Sequence, residues 1–206
     1  MTLILNNILL FRKNILIFSK LNLNIYPGQC ILLNGPNGSG KTTFLEFLYN
    51  IHFSQTGFVK KNENSFFFID INNFFDPNFT IKEHLNFWNK CFNNIKLENK
   101  LLDYFELKKI YNKKPNEISW GQKKRLNLAI LTLINKNIWL LDEPFTGLDI
   151  KASKQLIKLC KNHLKNKGVI IIAHHNKLPF YYHQEIKFPM IEKNNNLLNE
   201  ISEQWY

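Results

Sequence analysis

Arginine is almost missing from this chain: Arg12 and Arg125 are the only two, so lysine supplies the rest of the positive charge. Acidic residues are also few, 16 against 27 Lys and Arg, which leaves a net charge of +11. Such a balance raises the question of a nucleic-acid or anionic-membrane surface. Ala and Gly are scarce, however, while Asn, Ile, Phe and Lys abound, and codons of A and T alone can spell all four. An AT-rich coding sequence, as in an endosymbiont or an organelle-encoded gene, accounts for the charge, and no direct contact with nucleic acid is expected. Cysteine is limited to Cys30, Cys91 and Cys160 with no C-x-x-C pair, which excludes a disulfide framework and a zinc site of that type. The three read as small buried hydrophobes in a reducing compartment. No apolar run nears the roughly 18 residues that would span a bilayer. No acidic residue precedes Glu46, as in a transit peptide. Yet Leu3–Leu10 and Ile15–Phe18 flank Phe11-Arg12-Lys13-Asn14 as a strand–turn–strand, so the N-terminal stretch is expected to belong to the fold, with no cleaved segment.

With only 8 glycines in 206 residues, the concentration of three of them in Gly35-Pro36-Asn37-Gly38-Ser39-Gly40-Lys41-Thr42 is informative. This is G-x-x-x-x-G-K-[ST], the phosphate-binding loop. An apolar run, Gln29–Asn34, precedes it as a buried strand, and Thr43–Leu48 follows with helical spacing. Glycines let successive backbone N–H groups turn inward as an anion nest, to which the helix adds its positive N-terminal end. Lys41 is placed for the β- and γ-phosphates and the Thr42 hydroxyl for Mg²⁺.

The size fits one α/β domain with an inserted lobe. Residues 3–11 and 15–26 read as β segments, and Gly57–Lys60 and Ser65–Ile71 as further strands, the last continuous enough to be central. From Thr80 to Ile134 the texture is helical, opened by a capping box over Thr80-Ile81-Lys82-Glu83. Leu97 to Leu107 repeats apolar residues on one helical face. Strand texture returns at Ile138–Leu141 and Val169–Ala173 around a helix at about 150–166, with an edge strand at Glu185–Ile191. The expected architecture is an α/β core (1–74 and 136–206) with a β subdomain and an α-helical insertion at 75–135.

Two further motifs sharpen the chemistry. Ile138-Trp139-Leu140-Leu141-Asp142-Glu143 is a buried strand ending in two carboxylates. Downstream of a phosphate loop, such an Asp holds Mg²⁺ and the adjacent Glu can polarise an attacking water. Ile118-Ser119-Trp120-Gly121-Gln122-Lys123-Lys124-Arg125 opens a helix over Leu126–Ile134. Ser119 reads either as a plain N-cap or, with Gly121, as a second phosphate-binding surface. A GTPase would carry N-K-x-D and D-x-x-G; here Asn176-Lys177-Leu178-Pro179 stands alone.

The order of phosphate loop, L-S-G-G-Q-like signature and apolar strand ending in Asp-Glu resembles the ABC-type ATPases over essentially the whole chain. The resemblance implies a P-loop NTPase (RecA-like) core, with ATP and Mg²⁺ as cofactors and ATP hydrolysis as the activity. It assigns Gly35, Pro36, Asn37, Gly38, Ser39, Gly40, Lys41, Thr42 and Thr43 to the nucleotide, and Thr42 and Asp142 to Mg²⁺. Glu143 and Lys41 become catalytic groups, with His175 the switch histidine sensing the γ-phosphate; His174 stands where the family often has Thr, which leaves the choice between them open. Ser119, Gly121 and Gln122 would complete the site of an opposite subunit, and Asp149, in the S-A-L-D-like Thr146-Gly147-Leu148-Asp149, would lie at that interface. Phe11 is a candidate for stacking on adenine, core packing being the equal alternative.

The chain departs from the family pattern at two positions. The glutamine usual after the Phe66–Ile71 strand is absent, with Asn72 nearest as a Mg²⁺ or water ligand, and Trp120 replaces a small signature residue. Within the family, the Asp142–Asp149 wording, the signature with its basic tail and the short length are most similar to the ATP-binding subunits of the haem exporter of cytochrome c maturation. That similarity implies a homodimer bound to separate transmembrane permease subunits. Its place would be peripheral on an inner membrane, on the cytoplasmic face in a bacterium or the matrix face in a mitochondrion. Exporter ATPases for other solutes, and a non-transport ABC ATPase acting on nucleic acid or ribosomes, are the alternatives.

Overall fold

The computed structural model describes residues 3–12, 15–51, 53–54, 56–61, 66–69, 75–92 and 99–188. Two sheets carry the strands. An antiparallel sheet, ordered β2-β1-β4, joins β1 (Leu3–Arg12), β2 (Ile15–Ile25) and β4 (Thr56–Lys60). A parallel sheet, ordered β5-β6-β7-β3-β8, joins β3 (Cys30–Asn34), β5 (Phe66–Ile69), β6 (Ile138–Asp142), β7 (Val169–His174) and β8 (Gln184–Lys187). The helices are α1 (Lys41–Leu48), α2 (Ile81–Phe92), α3 (Asn99–Tyr104), α4 (Trp120–Leu133) and α5 (Ile150–Lys165). Between β5 and β6 the described residues form helices and turns only.

Strands buried on both faces read as unbroken apolar runs. β3, β6 and β7 do so, with every β7 residue buried. β5 has the same texture but lies at the edge of the sheet, which corrects the expectation that it is central. Its apolar run reflects two-sided cover: Phe67 meets Trp88 and Phe92 of α2 edge-on, at ring separations of 5.6 and 5.9 Å, and Phe66 is buried in the separate core cluster that holds Phe44 and Leu48. β8 forms the opposite edge, ending at Lys187. The capping box at α2 is present, with the Glu83 carboxylate accepting from Thr80 N at 2.7 Å and Thr80 Oγ1 accepting from Glu83 N at 3.3 Å. Of the cysteines, Cys30 and Cys160 are buried as expected; Cys91 is exposed on α2.

The antiparallel sheet is held onto α1 by aromatic packing. Phe18 of β2 meets Phe44 of α1 edge-on at 5.3 Å and Phe188 at 6.4 Å. Both Phe18 and Phe44 are fully buried, each worth about 1.5–3 kcal/mol relative to exposure. This contact brings the end of β1 and the start of β2 over the first turn of α1.

Candidate functional site

Parallel pairing aligns the carboxyl ends of three neighbouring strands. Asn34 of β3 lies opposite His174 of β7, and Ala173 of β7 opposite Asp142 of β6. The loops leaving these ends therefore converge, as ligand-binding loops do in open α/β sheets. Those leaving β3 and β6 border a cleft of about 350 Å³.

The 35–40 loop enters α1 through Gly40, whose backbone is left-handed at φ +100°. A Cβ there would also stand 2.6 Å from Ile17 Cγ2, so the β2 side chain is seated directly on the loop. The Lys41 ammonium is buried and folded back, donating to the Gly35 carbonyl at 2.7 Å and the Pro36 carbonyl at 3.0 Å. The Thr42 hydroxyl donates to Asp142 Oδ2 at 2.7 Å, across 100 residues of sequence. Hydroxyl and carboxylate side by side form a hard oxygen pair of the kind Mg²⁺ takes.

Glu143 is the most constrained side chain in the cleft. Its backbone sits at φ +43°, unusual for a residue with a Cβ, and its N–H is tied to the Ala173 carbonyl at 2.9 Å. Oε2 collects three neighbours: His174 Nδ1 at 2.6 Å, His175 Nδ1 at 3.0 Å and the Thr146 hydroxyl at 3.1 Å. Oε1 is buried with no hydrogen-bond partner among the described residues, 3.9 Å from Lys41 Nζ. Burial pushes the Glu143 carboxyl up, but the His174 and His175 contacts outweigh it and hold the group at about 2. The ligand atoms of Glu143, His174 and His175 lie within 4.8 Å of one another, with the Nδ1 atom of each histidine turned to the carboxylate itself.

The structure brings together Asn37, Gly38, Gly40, Lys41, Thr42, Thr43, Asp142 and Glu143 around the cleft. Both histidines reach Glu143, the buried His174 more closely than the exposed His175. Ser119 caps α4, its hydroxyl accepting from Gln122 N at 3.3 Å while Gln122 Oε1 accepts from Ser119 N at 2.9 Å. Gly121 faces open space, and neither it nor Ser119 borders the cleft of its own chain. Asp149 caps α5 through Ala152 N at 2.7 Å and pairs with Arg125 at 2.6 Å, contacts that together hold its carboxyl below the usual range. Asn72 lies outside the described residues.

One neighbour of the cleft went unread in the sequence, Arg12. Phe11 does not border it, whereas the next residue, Arg12, does. Trp120 borders it as well, its indole lying over Gly147 with Lys124 Nζ 5.1 Å from the ring centre. His174 joins Glu143 directly. Arg12 carried a legible signal, one of only two arginines in a chain whose other basic residues are lysine.

A family model described as ABC transporter matches residues 18–146, which includes the loop, the signature and the strand ending in Asp142 and Glu143. The chain belongs to the ABC transporter family. This family member is 34% identical over 188 residues to a "Cytochrome c biogenesis ATP-binding export protein CcmA" of Reclinomonas americana, covering 84% of this chain and 85% of the relative. It is 31% identical to "ABC transporter I family member 1" of Arabidopsis thaliana, covering 84% and 81%. Among solved structures, its fold is similar to an ATP-binding subunit of an ABC transporter at a TM-score of 0.83 and 17% identity, over 100% of this chain and 95% of that one. It is also similar to a dimeric post-hydrolysis ATP-binding cassette, MJ0796, bound to ADP and Pi, at 0.77 and 20%, over 93% and 97%. No described helix of this ABC ATPase is long and apolar enough to cross a membrane.

Proposed function

We propose that this ABC ATPase drives haem export or a neighbouring step of cytochrome c biogenesis, as a homodimer seated on separate membrane subunits. The observation that carries the ATP hydrolysis in this reading is the partition of Glu143: Oε2 is held by two histidines and a threonine, while Oε1 is buried and unbonded beside Lys41. The similarity to cytochrome c biogenesis export proteins over more than four-fifths of both chains supports the choice of pathway.

The triphosphate lies along the amides of residues 35–43, and Lys41 turns from the Gly35 and Pro36 carbonyls to the outer phosphates. Thr42 and Asp142 would hold Mg²⁺, which when bound offsets charge on the β- and γ-oxygens. Glu143 Oε1 accepts a hydrogen bond from the attacking water and orients it in line. A carboxylate held at about 2 is a weak proton acceptor. When His175 leaves Oε2 for the γ-phosphate, that hold loosens and the basicity of Glu143 rises, while the buried His174 keeps the carboxylate in place. Hydrolysis is thereby linked to the presence of the phosphate being sensed.

Residues 75–135 act as the helical subdomain, with Ser119, Gly121 and Gln122 presented to the nucleotide of the opposite copy. The exposure of Ser119 and the open space at Gly121 support that orientation. Asp149 lies at the same interface, and the membrane is reached through the partner, on the cytoplasmic or matrix face. The test is complementation: cells lacking the ATPase subunit of cytochrome c biogenesis should regain covalently haem-stained c-type cytochromes with this chain and not with Glu143→Gln. If ATP hydrolysis is intact but haem attachment is not restored, and a pull-down brings down ribosomes or DNA instead of a polytopic membrane protein, the reading is wrong.

A further inference from the structure

The cleft that holds Glu143 is also bordered by Arg12, the last residue of β1, which bonds Thr43 where the neighbouring Thr42 bonds Asp142. We infer that Arg12 is a nucleotide-binding residue, its guanidinium clamping the phosphate nearest the nucleoside. The inference rests on the nucleotide reading of this cleft and adds a second cation to it.

Arg12 Nη1 donates to Thr43 Oγ1 at 2.8 Å, and lies 3.8 Å from Glu46 Oε2 one turn further along α1. Thr43 is buried, and a hydroxyl that accepts from arginine keeps its own proton to donate. Both groups therefore stand at the first turn of α1, where the helix end and the loop amides favour an anion. Position along the cleft decides which phosphate they meet. Lys41 serves the outer β- and γ-phosphates, and Thr42, Asp142 and Glu143 mark the reacting end. Thr43, one residue further into α1 and bonded to a different strand, marks the inner end.

Charge alone would not call for arginine here. Lysine supplies 25 of the chain's 27 basic residues and serves as a point charge in phosphate sites. What arginine adds is a rigid fork of five N–H donors, enough to hold Thr43 and a phosphate oxygen at once. The Glu46 pairing is loose at 3.8 Å and the Arg12 side chain is 46% exposed, so the remaining donors are open to a ligand. The seat of Arg12 is built by the fold: Phe18 packs on Phe44, Ile17 sits on Gly40, and β1 pairs with β2 as far as Arg12.

The experiment measures dissociation constants of the whole protein for ATP, ADP, GTP and inorganic tripolyphosphate, in parent, Arg12→Lys and Arg12→Ala, with thermal unfolding of each protein without nucleotide. A charged phosphate hydrogen bond predicts that Arg12→Ala weakens ATP, ADP and tripolyphosphate alike, by about tenfold to a hundredfold. The ratio of ATP to GTP affinity should not move, and Arg12→Lys should recover only part of the loss. Weaker ATP binding with tripolyphosphate unchanged would mean contact with the base or sugar and would overturn the assignment. So would unchanged affinities with a lowered unfolding temperature, the mark of a staple between β1 and α1. A parent protein that binds none of the four would instead remove the nucleotide reading beneath the inference.

Discussion

Replacing Gly147 by alanine should destabilise the protein in two separable ways. The resembling loop of the family reads S-A-L-D, and here Thr146-Gly147-Leu148-Asp149 puts glycine in place of the alanine; Trp120 likewise stands where a small residue is usual. The structure joins these departures, because a Cβ on Gly147 would lie 2.9 Å from the Trp120 indole nitrogen and 3.2 Å from Cδ1. Gly147 is also left-handed at φ +73°, which costs a residue with a Cβ about 1–2 kcal/mol. Overpacking adds about 1–3 kcal/mol, at the low end because the 46%-exposed indole can move outward. Gly147→Ala in the parent should therefore cost about 2–4 kcal/mol, and in a Trp120→Ala background only the backbone share of about 1–2 kcal/mol. The coupling of about 1–2 kcal/mol falls within the range for contacting side chains. Urea unfolding of the four proteins, compared at equal m-values, measures it. Equal costs of Gly147→Ala with and without the indole would refute the seating of Trp120 on Gly147.

Glu143→Gln should leave ATP binding near the parent level and lower turnover by about 10²–10⁴, whereas Lys41→Ala should weaken nucleotide affinity itself; an equilibrium binding assay beside a phosphate-release assay separates them, and parental turnover in Glu143→Gln would place the base elsewhere. Ser119→Arg, added to Glu143→Gln, should abolish ATP-dependent dimerisation in light scattering; persistence of the dimer would remove the signature from the interface. Because the folded Glu143 carboxyl is held at about 2, below its ordinary 4.5, its contribution is fully present above 4.5 and is lost as pH falls from there through 2. Removing the His174 contact by His174→Ala should shift that loss to higher pH, read as the acid-unfolding midpoint by circular dichroism; an unmoved midpoint would deny His174 its hold. Burial pushes the Cys30 thiol up to about 12 and Cys160 higher still, so a thiol reagent should label the exposed Cys91 rapidly and the other two only on unfolding.

The features legible along the chain are local. The 35–42 loop, the Ser119 cap and the strand ending in Asp142 and Glu143 are contiguous patterns whose backbone needs are met within a few residues. The apolar texture of β3, β6 and β7 follows from burial on both faces, and the same rule misplaced β5, because an edge strand covered by Trp88 and Phe92 has the same texture as a central one. Tertiary structure alone decided the pairings between distant segments. Thr42 reaches Asp142 because β7 lies between β3 and β6 in the parallel sheet, an order that no local pattern encodes. His174 and His175 both close on one Glu143 oxygen because β7 ends beside β6, so the choice between them, open in the sequence, becomes a shared contact. Arg12, rather than Phe11, borders the cleft because the packing of Phe18 on Phe44 sets which residue of β1 overhangs α1. Trp120, a misfit when read alone, meets Gly147 only once α4 and the 143–149 loop are brought together in space.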